Sequence, residues 1–99
     1  MTTEEILFIL NRHKMEMQER FNAETIGLFG SYLINKQNKQ SDIDLLVSFR
    51  KGHKDLFNFL NLKFYLEDLL GENVDLVNTD GIKPALKSRI LKQLKMILI

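Results

Sequence analysis

Two aspartates one residue apart, Asp42 and Asp44, open an apolar run that predicts a buried strand. Side chains two positions apart on a strand point to the same face, so two negative charges lie side by side. A buried carboxylate is costly unless it is neutralised or matched by a partner. The pair therefore predicts a cation at this place, and a divalent metal ion is one such match.

An earlier apolar run ends in Gly30 and Ser31, with ten residues between Ser31 and Asp42. A Gly-Ser pair where a strand turns into a helix predicts a phosphate site, because the free N–H groups and the dipole of a helix start both favour an anion. The alternative is that Ser31 is an ordinary helix N-cap. A phosphate site beside a carboxylate pair predicts a nucleotide bound through divalent metal.

A third aspartate, Asp75, interrupts a later apolar run that predicts another strand. If the two strands are neighbours, three carboxylates meet at one face of the sheet. The alternative for the first two is a turn aspartate at Asp42 and a solvent-facing aspartate at Asp44. Because Asp75 breaks a second strand in the same way, a metal site is the better interpretation of all three.

The elements that position these residues follow from hydrophobic periodicity and end signals. Strands are predicted over three ranges: Thr25–Phe29, Ser41–Phe49 and Asn73–Asn78. A capping box, Thr2 with Glu5, begins a helix predicted from about Thr3 to Arg20, in which His13 is a solvated or core-edge residue. Ser31 begins a short helix, and residues 36–40 form a polar loop.

A third helix is predicted from an N-cap at Asp55 through Leu70, with Gly71 ending it in the left-handed conformation. Its apolar positions cover more than one stripe, so it is either largely buried or contacts something besides its own sheet. A cationic helix follows Pro84, and the apolar end of the chain is either a last strand or an interface. The predicted fold class is α/β (α+β), a small mixed sheet with helices packed on it.

Length and composition exclude several classes of protein. The 99 residues, 44% of them apolar, make one domain over residues 1–99. A net charge of +1 gives no overall basic field, so no direct contact with nucleic acid is expected. The absence of cysteine excludes disulfides and cysteine zinc sites. Apolar runs fall short of the roughly 20 residues of a membrane span, and we expect a soluble, cytoplasmic protein.

Together these stretches resemble the signature of the DNA polymerase β-type nucleotidyltransferase superfamily. The resemblance rests on I-G-L-F-G-S-Y, S-D-I-D-L-L-V and V-D-L-V-N-T-D-G-I, and it covers nearly the whole chain. In length the chain is most similar to the smallest members, the minimal nucleotidyltransferase or MntA-like antitoxin proteins. The resemblance implies a minimal polymerase β-like palm.

The resemblance also implies ATP-dependent nucleotidyl transfer with two Mg²⁺ ions. On the matching positions Asp42, Asp44 and Asp75 would bind the metal ions, and Asp75 would also take the proton of the attacking hydroxyl. Gly30 and Ser31 would hold the triphosphate of ATP. Three carboxylates would offset the charge of the two metal ions. Two divalent ions roughly 3.5 to 4 Å apart stabilise both the attacking and the leaving oxygen of an in-line displacement.

The resemblance also implies a partner protein. It predicts a protein adenylyltransferase that moves AMP from ATP to a hydroxyl, on a tyrosine, of a HEPN-domain toxin encoded nearby, as the antitoxin of a type VII-like pair. One alternative is a weak or inactive antitoxin that neutralises its partner by contact. An antibiotic-modifying nucleotidyltransferase is less favoured, because such enzymes need a further domain to hold the acceptor.

The chain leaves the pattern of the family directly after the Gly-Ser pair. Many relatives continue with a small residue, an arginine and a glycine, whereas Leu33, Ile34 and Asn35 stand here. Asn35 can adopt the left-handed backbone that glycine would supply, but Ile34 cannot donate a charged hydrogen bond to phosphate. We expect either weaker ATP binding or a lysine in the place of that arginine.

Overall fold

The computed structural model describes residues 2–29, 42–52, 55–79, 84 and 95–98. Their elements are α1 (Thr3–Arg12), α2 (Lys14–Phe21), β1 (Ala23–Phe29), β2 (Ile43–Phe49), α3 (Leu56–Leu70), β3 (Val74–Asn78) and β4 (Lys95–Leu98). The predicted helix at Ser31, the loop 36–40 and the helix after Pro84 lie outside the described residues. Among the helices that are described, none has the length and apolar content needed to cross a membrane.

The four strands form one mixed sheet in the order β3-β2-β1-β4. β1 pairs antiparallel with both β2 and β4, while β2 and β3 run parallel. Parallel neighbours need a crossover connection, which α3 supplies. The mixed sheet with packed helices confirms the predicted fold class, and the apolar C-terminal segment is a strand rather than a free interface.

The first helix begins as predicted. The N–H of Glu5 donates to the Thr2 hydroxyl at 3.1 Å, and the N–H of Thr2 donates to the Glu5 carboxylate at 3.3 Å. These reciprocal bonds satisfy two donors that a helix start otherwise leaves free. The capping box is therefore confirmed.

The prediction of one continuous helix to Arg20 is wrong, because the helix breaks at His13. The His13 ring donates from Nδ1 to the carbonyl of Ile9 at 2.8 Å. That carbonyl is the acceptor an unbroken helix would offer to the His13 N–H, which bonds to Leu10 instead, at 3.2 Å. The partly buried ring thus ends α1, and α2 begins one residue later at Lys14.

The predictions for α3 and the strands are confirmed, with small shifts at the ends. Asp55 caps α3 by accepting the N–H of Asn58 at 2.9 Å, and Gly71 ends it with φ 68°. β1 begins two residues earlier than predicted, β2 two residues later and β3 one residue later. Such shifts of one or two residues are normal at element ends.

One face of the sheet is covered by α1, α2 and α3. The three helices and the strands share one hydrophobic core, whose fully buried members include Ile6, Leu10, Met17, Ile26, Leu28, Ile43, Leu45, Val47, Leu62 and Leu66. The alternate residues of β2 and β3 point to the other face. That second face carries the aspartates singled out above.

Candidate active site

Asp44 and Asp75 lie on the face of the sheet turned away from the three helices. The residues on either side of each aspartate are buried in the core against the helices: Ile43, Leu45, Val74 and Leu76. Because neighbours on a strand point to opposite faces, both carboxylates point away from the core. On each strand the apolar neighbours pack in the core, and the aspartate lies on the opposite face, at the candidate site.

The register of β2 and β3 sets Asp44 directly opposite Asp75. Neighbouring strands lie about 4.8 Å apart, so two carboxylates on one face stand side by side. Asp42 immediately precedes β2; it is exposed, as Asp75 is, whereas Asp44 is partly buried. The predicted proximity of the two strands is confirmed, and the metal-binding role of the three aspartates stays a prediction.

The end of β1 lies on the other side of Asp44. Phe29, the last residue of β1, pairs with Asp44 across the antiparallel ladder. Gly30 and Ser31 follow Phe29 in the sequence and lie outside the described residues. Their predicted role at the triphosphate stays a prediction. The pairing of β1 with β2 places Phe29, the residue directly before them, beside Asp44.

Carboxylate oxygens are the ligands that Mg²⁺ prefers in proteins. Within the described part of the chain, however, no group of three or more His, Cys, Asp or Glu side chains could hold a metal ion. Mg²⁺ is usually bound through one or two carboxylates, while waters and substrate phosphates complete its shell. The Asp44 and Asp75 pair fits that mode of binding, in which the nucleotide itself supplies ligands.

A polar pair shares this face of the sheet farther along the strands. The hydroxyls of Thr25 on β1 and Ser48 on β2 are hydrogen-bonded to each other. Sequence reasoning missed this pair, because 23 positions separate its members and only the β1–β2 register brings them together. It satisfies two partly buried hydroxyls on this face and links the two strands.

A second cluster of titratable groups lies among the helices, on the opposite side of the sheet. The Tyr65 hydroxyl on α3 donates to Glu16 on α2 at 2.9 Å, and Arg20 donates to the same carboxylate at 2.7 Å. The bond from Arg20 and then the bond from Tyr65 lower the pKa of Glu16 below its usual value. Partial burial and then the bond to Glu16 raise the pKa of Tyr65 to about 12.

A cavity of about 530 Å³ adjoins this cluster between α2 and α3, with Arg20, Asn61 and Tyr65 in its lining. The Arg20 guanidinium lies 5.4 Å from the centre of the Tyr65 ring and 5.1 Å from that of Phe21. Such stacking favours a cation held against aromatic faces. The sheet separates the cavity from Asp44 and Asp75, so we assign the cluster to helix packing rather than to the reaction.

The comparisons with known proteins agree over almost the whole chain. The family described as nucleotidyltransferase domain matches residues 10–97. The protein adenylyltransferase MntA of Thermococcus cleftensis is 42% identical over 93 residues, which are 94% of this chain and 93% of that protein. A solved structure of a candidate minimal nucleotidyltransferase has a TM-score of 0.80 and 33% identity, over 96% of this chain and 95% of that one.

Two similar structures are toxin–antitoxin complexes. A chain of a toxin-antitoxin with AMP-PNP has a TM-score of 0.69 and 26% identity, over 87% of this chain and 70% of that chain. A chain of the tri-AMPylated HEPN toxin of Shewanella oneidensis in complex with MNT antitoxin has a TM-score of 0.61 and 27% identity. That match covers 88% of this chain and 68% of the other.

Proposed function

The chain belongs to the nucleotidyltransferase domain family, and on that premise we propose that it transfers AMP from ATP to a hydroxyl of a HEPN-domain toxin. In this role it is the antitoxin of a type VII-like pair, and the proposed acceptor is a tyrosine. Support comes from the relative named protein adenylyltransferase and from similar structures that contain AMP-PNP or an AMPylated HEPN toxin.

The observation that carries the proposal is the placement of Asp44 opposite Asp75 on parallel strands. In both strands the aspartate stands between buried apolar neighbours, and both carboxylates face away from the core. Packing alone does not call for such an arrangement, because like charges directly opposite each other destabilise a sheet. A reaction on a magnesium-bound triphosphate needs it.

In the proposed reaction the acceptor oxygen forms a bond to the α-phosphorus of ATP, and the bond to pyrophosphate breaks. The Asp75 carboxylate takes the proton of the acceptor hydroxyl, a role worth roughly 10² to 10⁴ in rate. Asp42, Asp44 and Asp75 would hold Mg²⁺, which would supply charge neutralisation at the reacting phosphate. Gly30 and Ser31, which follow β1 in the sequence, would hold the triphosphate.

The outer face of α3 is the surface that we propose for the toxin. Leu56, Phe57 and Phe64 are 65%, 78% and 56% exposed. Phe57 and Phe64 are two turns apart on one helix, so they share a face, with Leu60 between them. Exposed aromatic side chains grouped on one helix face are typical of docking surfaces. This arrangement matches the predicted alternative that α3 contacts something besides its own sheet.

The test is to incubate the purified chain with the HEPN protein encoded beside it, with Mg²⁺ and ATP, and to measure the intact mass of that partner. We expect adducts of AMP on the partner, and their loss in Asp44→Asn and in Asp75→Asn. Glu24→Gln, which removes an exposed carboxylate from β1, is the matched control and retains the adducts.

The second candidate, an antitoxin that acts by contact alone, is favoured by Ile34 in the place of an arginine. The same experiment separates the two. If the toxin is inhibited equally by the wild type and by Asp44→Asn, and no AMP adduct forms, contact is the mechanism and the proposed transfer is wrong.

A further inference from the structure

The position of Asp75 depends on β3, a short strand at one edge of the sheet. β3 has five residues, and among the described strands it pairs with β2 alone. A slip of one residue along a strand turns every side chain to the opposite face. Such a slip would move Asp75 from the site into the core, so whatever fixes the register of β3 also fixes the site.

Glu67, in the last turn of α3, holds the start of β3. Its carboxylate accepts the N–H of Val74, the residue directly before Asp75, at 3.1 Å. The carbonyl of the same peptide group, on Asn73, accepts the N–H of Ile43 at 3.0 Å. The peptide group between Asn73 and Val74 is therefore held from both sides, by β2 on one side and by α3 on the other.

A second side chain holds the other end. The Thr79 hydroxyl, one residue beyond β3, donates to the carbonyl of Val47 on β2 at 3.2 Å. Val47 pairs with Asn78, the last residue of β3, so this bond supports the same register that sets Asp75 opposite Asp44. The short strand thus has a side-chain anchor at each end.

We propose that Glu67 is a positioning residue for Asp75, with Thr79 as its counterpart at the far end of β3. Glu67 acts through the Val74 N–H, which fixes the start of the strand that presents Asp75 to the nucleotide-bound metal. The inference rests on the proposed function, since Asp75 needs an accurate position only if it serves a metal-bound nucleotide. A merely structural anchor would affect folding and leave the site unchanged in the folded protein.

The test compares Glu67→Ala, which removes the acceptor, with Glu67→Gln, whose side-chain carbonyl still accepts a hydrogen bond. Mn²⁺ is titrated in the presence of ATP by electron paramagnetic resonance, and amide exchange at Val74 is followed by NMR. Changes in the partners of ligating side chains typically cost 10- to 100-fold in metal affinity. We expect Glu67→Ala to bind Mn²⁺ at least tenfold more weakly with faster exchange at Val74, and Glu67→Gln to restore most of both.

Asp68→Ala is the matched control, because it removes one exposed carboxylate from the same helix turn and leaves the bond to Val74 intact. We expect its Mn²⁺ affinity to stay within about twofold of the wild type. Thr79→Val keeps the shape of the side chain without the hydroxyl. It is expected to weaken Mn²⁺ binding in the same direction and provides the test if Glu67→Ala does not fold.

The outcomes are distinguishable. Faster exchange at Val74 with unchanged Mn²⁺ affinity in Glu67→Ala would overturn the inference and leave the proposed function standing. A wild-type chain that binds no Mn²⁺ with ATP would overturn the proposed function and, with it, the role of Glu67. Weaker Mn²⁺ binding in Asp68→Ala equal to that in Glu67→Ala would show that only net charge matters, which also contradicts the inference.

Discussion

At the scale of single residues, Asp44 and Asp75 are a source of repulsion in the folded chain. They stand opposite each other on neighbouring strands, where like charges destabilise a sheet. A bound divalent ion would offset this repulsion, so we expect the pair to favour folding more with metal than without it.

Asp75→Asn should therefore stabilise the chain when metal is absent. We expect the free energy of unfolding in EDTA to rise by about 0.2 to 1 kcal/mol, because one of two facing charges is removed. With Mg²⁺ and ATP the order should reverse, since only the wild type gains binding energy. Thermal unfolding in both conditions measures the effect, with Glu24→Gln as the control. A variant less stable than the wild type in EDTA would contradict the repulsion.

At the scale of elements, local signals made α3 and the start of α1 predictable. Asp55, Gly71 and the Thr2–Glu5 box act through atoms three or four residues away, so the sequence displays them directly. The break at His13 was missed because it depends on whether a ring nitrogen or a backbone N–H takes the Ile9 carbonyl. Helical periodicity is the same in either case.

Gly71→Ala should destabilise the corner between α3 and β3. Gly71 has φ 68°, and a Cβ built there meets nothing within 4 Å, so the cost is backbone strain alone, about 1 kcal/mol. Chemical denaturation measures the loss. Asn22→Gly provides the contrast: Asn22 also has positive φ, at 56°, and glycine there should not add strain. Equal stability of Gly71→Ala and the wild type would contradict the conformational argument.

The link between α2 and α3 should give stability a defined dependence on pH. The pKa of Glu16 is lowered in the folded chain, so its contribution is complete above the ordinary value of 4.5 and is lost as pH falls through the lowered value. The pKa of Tyr65 is raised to about 12, so its contribution is complete below 10 and is lost as pH rises from 10 to 12.

We therefore expect the wild type to exceed Glu16→Gln in stability at pH 7 and to have a smaller advantage at pH 3, which lies below the ordinary pKa of 4.5. Urea denaturation at the two pH values measures the difference between the two proteins. Tyr65→Phe should be less stable than the wild type at pH 7, and this difference should shrink as pH rises from 10 to 12. A stability difference that is the same at all these pH values would show that the Glu16 and Tyr65 bond does not contribute.

At the scale of the whole molecule, the candidate site is assembled from β1, β2 and β3. Asp44 on β2 lies between Phe29 on β1 and Asp75 on β3. Asp44 and Asp75 were visible in the sequence because each interrupts an apolar run, and Asp42 because it stands two positions before Asp44. Strand order and register were not visible, since they depend on pairings between distant segments. The anchors Glu67 and Thr79 were missed for the same reason: their partners lie on other elements, at Val74 and Val47.

Recognition of the proposed HEPN partner should depend on the outer face of α3. Phe57→Ser and Phe64→Ser remove aromatic side chains that are 78% and 56% exposed, so we expect weaker binding of the HEPN partner, by tenfold or more if they are central contacts. The stability of the isolated chain should change by no more than about 0.5 kcal/mol. Calorimetric titration of the partner measures affinity, and Phe8→Ser, on the 61% exposed Phe8 of α1, is the control. Unchanged affinity in both α3 variants would place the toxin elsewhere.

The pairing of β4 with β1 has a consequence for synthesis on the ribosome. Ile26 pairs with Ile97, so about 70 residues must be added after β1 before its second edge can be covered. At the usual rates of translation this interval is on the order of 10 s. During that time the nascent chain presents a row of free backbone groups along β1, which another unfinished chain could join. Misassembly should therefore begin at β1, and it should increase when translation slows between residues 30 and 95.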